Sequence, residues 1–183
     1  MKKILGVCFV LFFLVACSSQ SYDLASKPVV TFKTSLGEFS LQFYKDVAPK
    51  TAEAFLSLIQ EKKYHETGVD EVMLLTPYFN IGFNSKVLSN DIKGDFFSEI
   101  APKEGKNLEK GELFFSAKNE GFGAFSVYCG DSAMELKENA NDLIIFGKVV
   151  EGHNVLDKIM ETPTGQDFKP NEKIEILETL VNE

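Results

Sequence analysis

The side chains able to carry chemistry are few, and their kinds limit what the chain can do. Cys8, Cys17, Cys129, His65 and His153 are all the cysteines and histidines among 183 residues. A structural zinc site asks for four such ligands. With Cys8 and Cys17 falling in an N-terminal segment that reads as a signal and its lipidation point, His65, His153 and Cys129 make only three, so no zinc site is expected, and no other metal or cofactor. Cys129, in Phe125-Ser126-Val127-Tyr128-Cys129 with no histidine near it in sequence, reads as a small buried apolar residue. His65 and His153 fall in turn regions and read as surface residues. Asp131, Glu135 and Glu138 read as a solvated acidic stretch. All 19 basic residues are lysine, and there is no arginine. Chemistry that depends on a planar, bidentate guanidinium is therefore excluded. Against 27 acidic residues the net charge is −8, and the pI is near 4.9. Such a chain is not expected to bind nucleic acid, whose phosphates need a basic face.

Cys17 belongs to a different chemistry. Lys2 and Lys3 precede an apolar run from Ile4 to Val15, too short to span a bilayer and typical of a secretory signal. The run ends in Leu14-Val15-Ala16-Cys17, followed by Ser18-Ser19-Gln20, and this tetrapeptide resembles the bacterial lipobox. The expectation is a signal peptide over 1–16, a lipidated Cys17 with a flexible tether over 17–28, and one folded domain over 29–183. Removal of Lys2 and Lys3 would make the mature chain more acidic still. Two or three acyl chains, at about 0.8 kcal/mol per buried CH₂, suffice for stable membrane anchoring. Ser18 to Lys27, fully extended, would reach at most ~33 Å. The expected location is exported, on the periplasmic or surface face of a bacterial membrane. With Cys8 removed and Cys17 acylated, Cys129 has no disulfide partner in the mature chain.

The elements that must position any site follow from periodicity. Val29–Thr34 and Phe39–Tyr44 flank the turn signal Ser35-Leu36-Gly37-Glu38 and read as a β-hairpin. Ala48-Pro49 announces a helix in which Ala52, Phe55, Leu56 and Ile59 share one face and which ends near Lys62 or Lys63. The apolar run Val72–Leu75 is broken by Thr76-Pro77, and residues 84–110 read as loop. Gly111–Ala117, Phe122–Cys129 and Leu143–Val150 read as strands. Asn154–Met160 reads as a short helix with Val155, Leu156 and Ile159 inward, and Lys173–Leu180 as a last strand. Strands at both ends with two helices between suggest a closed barrel capped by helices, because closure removes exposed sheet edges.

The same pieces, in order, resemble the cyclophilins: TSLGEFSLQFYKDVAPKTAEAFLSLI (Thr34–Ile59), Tyr64, KGELFFSA (Lys110–Ala117), FGKVVEGHNVLDKI (Phe146–Ile159) and Pro163-Thr164. The resemblance covers roughly 29–180. It implies a mainly β fold, an eight-stranded barrel closed by two helices, and peptidyl-prolyl cis-trans isomerase ancestry with polypeptide segments as ligands.

The active face is where the chain departs from that pattern. After the tyrosine the family reads Phe-His-Arg-Val, and an ungapped count from Tyr64 gives Val69, Asp70, Glu71 and Val72. Glu71 thus falls on the catalytic arginine position. The next element is Pro77-Tyr78-Phe79-Asn80-Ile81-Gly82-Phe83, with at least one inserted residue, and Asn80 can stand in for the family's glutamine. Ala124–Val127 aligns with the family's Ser-Gln-Phe-Phe strand, and the pocket histidine falls on Leu143. The resemblance therefore implies a groove lined by Tyr78, Phe79, Phe125, Val127 and Leu143. The alternative is that the aromatic residues and Val127 are barrel core and Glu71 a solvated strand-end charge.

Isomerisation twists an amide with a barrier of about 18–20 kcal/mol, and a cationic donor aimed at the prolyl nitrogen favours the twisted state. A carboxylate has the opposite sign, and a preorganised donor is typically worth about 10²–10³ in rate. Weak or lost activity is expected, with binding of proline-containing or extended polypeptide retained. The rival expectations are a working isomerase for secreted proteins and a non-catalytic structural envelope lipoprotein.

Overall fold

The computed structural model describes residues 22–44, 46–65, 67–82, 96–100, 107–117, 123–135 and 142–182. The expected signal segment, Cys17 and Glu138 lie outside them. The described residues form ten strands: β1 (Leu24–Thr34), β2 (Gly37–Tyr44), β3 (Gly68–Met73), β4 (Tyr78–Ile81), β5 (Asn107–Leu108), β6 (Glu112–Ser116), β7 (Phe125–Tyr128), β8 (Met134–Glu135), β9 (Leu143–Glu151) and β10 (Ile174–Asn182). Two α-helices, α1 (Pro49–Gln60) and α2 (His153–Met160), and one short 3₁₀ turn (Phe97–Glu99) complete the described elements.

Eight of the strands close a barrel in the order β1-β10-β3-β4-β7-β6-β9-β2, every pair antiparallel, and β2 returns to β1. The closed, helix-capped barrel expected from the sequence is the fold observed. The β3–β10 seam is short, Val69 opposite Ile174 and Gly68 opposite Glu175. The loop before β10 extends it, the Val72 amide donating to the Phe168 carbonyl at 2.9 Å. Gly68 is required here, because a Cβ at that position would lie 2.5 Å from the Ile174 carbonyl oxygen.

The barrel is filled by aromatic rings. Phe55 of α1 stacks on Phe146 with centroids 4.4 Å apart and meets Phe125 edge-on at 5.5 Å. Phe32, Phe39, Phe79, Phe125 and Phe146 are all sealed from solvent. Tyr64 is buried with them and donates its hydroxyl to the Gly123 carbonyl at 2.5 Å, while burial pushes its phenol well above the ordinary range.

The helices sit beyond opposite ends of β2. α1 follows the Tyr44 end, and Val155 of α2 packs on Gly37 at the other. Val155, Leu156 and Ile159 face inward as expected. In α1 the buried stripe is Thr51, Phe55, Leu58 and Ile59, rotated from the expected face; Ala52 and Leu56 pack only at its margin. The rotation has a cause. Ala48 supplies no side-chain cap, and α1 is capped instead by Glu99, whose carboxylate accepts the amides of Lys50 (2.8 Å) and Thr51 (3.0 Å) and the Thr51 hydroxyl (2.6 Å). Thr51 is thereby drawn inward.

Three further differences from the sequence reading concern the margins. β1 begins at Leu24, inside the stretch read as tether, with Leu24 opposite Tyr44 and Tyr22 edge-on to the Tyr44 ring at 5.2 Å. Residues 107–108, read as loop, pair with β8 in a small second sheet outside the barrel. His65, read as a surface residue, is half-buried, and His153 is exposed.

Candidate functional site

The β3–β4 hairpin and β7 form one stretch of barrel wall. Side chains alternate across such a wall, so neighbouring residues serve different faces. Val69 pairs with Ile81 but Glu71 pairs with Asn80, which leaves Asp70 as the extra residue of a bulge. The bulge brings Glu71 to the outer face directly opposite Asn80. Asn80 in turn pairs with Ser126, Ser126 with Phe114, and Phe114 with Ile145. One outer row therefore crosses five strands, polar at its β3 end and apolar at its β9 end.

The polar end is a hydrogen-bonded ladder. Ser126 donates its hydroxyl to Asn80 Oδ1 at 2.6 Å, and Asn80 Nδ2 donates to Glu71 Oε2 at 2.9 Å. Asn80 is 4% exposed and Ser126 5%. Each buried polar group finds its partner in the next, so the ladder holds the Glu71 carboxylate in a defined orientation. Tyr78 lies diagonally from Glu71 on the same face, two residues before Asn80. Burial first, and the charge of Glu71 second, push its phenol above the ordinary value.

Of the residues expected at the active face, the structure brings together Glu71 and Asn80, which fall on the catalytic positions, and Tyr78 of the expected groove. Leu143 is on the outer face too, partly buried beside Phe114 and Ile145 at the far end of the row. Phe79, Phe125 and Val127 are corrected. They point into the barrel, are 0–1% exposed, and belong to the aromatic core. As placed they offer no surface to a ligand. The outward residues of β7 are Ser126 and Tyr128, one position along from those expected, which is the consequence of a one-residue error in strand parity. Phe114 was also missed; Tyr78 meets it edge-on at 5.8 Å. The signal able to find Ser126 was its place as the one small polar side chain in the segment Phe125–Cys129.

The apolar end is covered by the chain itself. Leu108 of β5 and Met134 of β8 pack over Tyr128, Phe114, Ile145 and Tyr44. The Tyr128 hydroxyl donates to the Ser132 carbonyl at 2.8 Å, and the turn at Gly130 folds so closely over it that a Cβ there would lie 2.2 Å from that oxygen. Below this cover Tyr44 donates to Glu112 Oε1 at 2.5 Å, and the Glu109 amide donates to Glu112 Oε2 at 2.9 Å. Burial, then Glu112, push the Tyr44 phenol far up. Tyr78 and Leu143 remain half-exposed along the rim.

Chemically the face offers an oriented carboxylate, a carboxamide, a hydroxyl and aromatic edges. Among the described residues, no lysine forms an ion pair with Glu71; those that pair do so with other carboxylates, as Lys110 does with Asp131 and Asp157 at 2.9 Å each. Among the described residues there is also no group of three or more metal-ligating side chains, and no helix is long and apolar enough to cross a membrane.

Comparison with known proteins agrees with the architecture. A family model described as cyclophilin type peptidyl-prolyl cis-trans isomerase/CLD matches residues 29–181. A peptidyl-prolyl cis-trans isomerase of Arabidopsis thaliana is 27% identical, over 96% of this chain and 80% of its own. One of Acinetobacter baylyi is also 27% identical, over 74% of this chain and 73% of its own. The crystal structure of a cyclophilin type isomerase of Cryptosporidium parvum superposes with a TM-score of 0.64 at 19% identity, covering 85% of this chain and 98% of that one. The helix-capped barrel and the match along nearly all of its length lead to one conclusion: the chain belongs to the cyclophilin type peptidyl-prolyl cis-trans isomerase family.

Proposed function

We propose that the protein is a lipid-anchored, extracytoplasmic cyclophilin that binds proline-containing or extended polypeptide segments at the outer face of β3, β4 and β7, with isomerase chemistry weak or lost. One observation carries the reading: Glu71, at the position where the family resemblance puts the catalytic arginine, is an outward carboxylate tied to Asn80. Prolyl isomerisation is favoured by a donor aimed at the twisted amide nitrogen, and an ionised carboxylate can only accept. With no arginine in the chain and, among the described residues, no lysine paired to Glu71, nothing described supplies the missing charge. Membrane attachment rests on the Leu14-Val15-Ala16-Cys17 sequence.

The test is an NMR exchange assay of prolyl isomerisation with the full-length chain in detergent micelles. The expected efficiency is about 10²–10³ below that of the Acinetobacter baylyi relative, the worth of one preorganised donor. Glu71→Arg is expected to raise it at least about tenfold, since the substitution restores both donor and charge. Wild-type activity equal to the relative's refutes the weakened-enzyme reading and favours the rival, a working isomerase, to which the relatives' names point. Labelling with radioactive palmitate checks the anchor: label on the native chain and none on Cys17→Ala supports it.

A further inference from the structure

The Glu71 carboxylate is fixed but not saturated. Asn80 Nδ2 occupies Oε2, while among the described residues Oε1 carries neither a hydrogen bond nor an ion pair. The neighbour that shares its face is the ring of Tyr78, half-buried and backed edge-on by Phe114. A carboxylate beside an aromatic ring is a receptor for an organic cation: the ring quadrupole and the charge both attract it. A metal ion is a poor fit, because one free oxygen falls far short of the six to eight that calcium takes. A guanidinium fits better than an ammonium, since it can stack flat on the ring while a fork of N–H groups reaches the carboxylate.

From this arrangement we infer that Glu71 and Tyr78 form a specificity subsite for a cationic side chain, arginine above lysine, carried by the extended polypeptide that the outer face binds. The inference rests on the binding reading proposed above and adds the ligand's chemical class to it. Where an arginine-bearing site would supply the cation to its ligand, here the ligand supplies the cation to the site. Asn80 and Ser126 are positioning residues: buried and paired, they aim the carboxylate and do not reach the ligand themselves.

The experiment uses three capped tetrapeptides, Ala-Arg-Pro-Phe, Ala-Ala-Pro-Phe and Ala-Glu-Pro-Phe, titrated by NMR into the full-length chain in detergent micelles. The arginine peptide is expected to bind about five- to tenfold tighter than the alanine peptide, and the glutamate peptide more weakly than either. Raising salt from about 20 mM to about 500 mM should erase most of that preference, because the pair is partly exposed and screened. In Glu71→Gln, which keeps an acceptor for Asn80, the preference should vanish; in Glu71→Lys it should reverse toward the glutamate peptide. Thermal melts show that each variant is folded, and the salt series on the native chain stands independently of them. Equal binding of all three peptides overturns this inference and leaves the binding reading intact. An arginine preference that persists in Glu71→Gln overturns the assignment to Glu71. Absence of binding by all three overturns both.

Discussion

The inner and outer faces of β3, β4 and β7 belong to the same strands yet have opposite characters. Inside, Val72, Phe79 and Val127 are fully sealed and Phe125 nearly so, packed among the rings of Phe32, Phe55, Tyr64 and Phe146. Outside, Glu71, Asn80 and Ser126 form a polar ladder. A strand separates the two roles residue by residue, so one face can change its chemistry while the other preserves the fold. That is how a barrel of this family can carry a carboxylate where the family resemblance puts a guanidinium.

Three experiments break or sharpen that contrast. The largest effect is expected inside: Phe125→Ala should destabilise the protein by about 3–5 kcal/mol in urea denaturation, the range for truncating a core phenylalanine. A loss of peptide affinity without a loss of stability would instead place Phe125 in the groove. The effect outside should be smaller. Ser126→Ala leaves Asn80 Oδ1 short of its donor and should lower stability by about 1 kcal/mol. It should also weaken the discrimination among charged peptides, which a merely structural hydroxyl would not alter. The smallest effect at neutral pH concerns Cys129, packed in the inner cluster. Burial chiefly, opposed by Lys110 and reinforced by Asp157, pushes its thiol from the ordinary 9.0 up to about 12. At about pH 8 it should resist aromatic disulfide reagents until urea is added. Because the folded value is the higher one, its contribution to stability is complete below pH 9 and erodes as pH rises toward 12. The urea midpoint of the native chain should therefore fall more over that window than that of Cys129→Ala. Rapid labelling at Cys129 itself, absent from Cys129→Ala, would mean that the inner face is not sealed.

Much of the fold was legible because it is written locally. The β1–β2 hairpin follows from alternation around Ser35–Gly37, where Thr34 accepts the Leu36 amide and donates to the Gly37 carbonyl. β9, the Gly152 turn and α2 follow from an apolar run, a glycine at φ 81° and a helical stripe. The facing of β7 was not legible, and the reason is physical. All four of its residues are buried, since the barrel core covers Phe125 and Val127, Leu108 and Met134 pack with Tyr128, and Ser126 is tied to Asn80. The period-two contrast between wet and dry that normally reveals strand parity is erased. The α1 stripe was misjudged for a related reason. Its N-terminus is capped by Glu99, 48 residues away from Thr51, and no pattern within the helix announces that partner.

By itself the sequence determined the barrel class, through the order and periodicity of its strands and helices, and it determined that no guanidinium is available to the site. Those properties are carried by local pattern and by composition. Only the tertiary structure decided that Glu71, Asn80 and Ser126 stand in one row, and that Phe125 and Val127 do not join them. Such companionship depends on the bulge at Asp70 and on registers set between segments far apart in the chain. A shift of one residue in either would exchange the two faces of the wall.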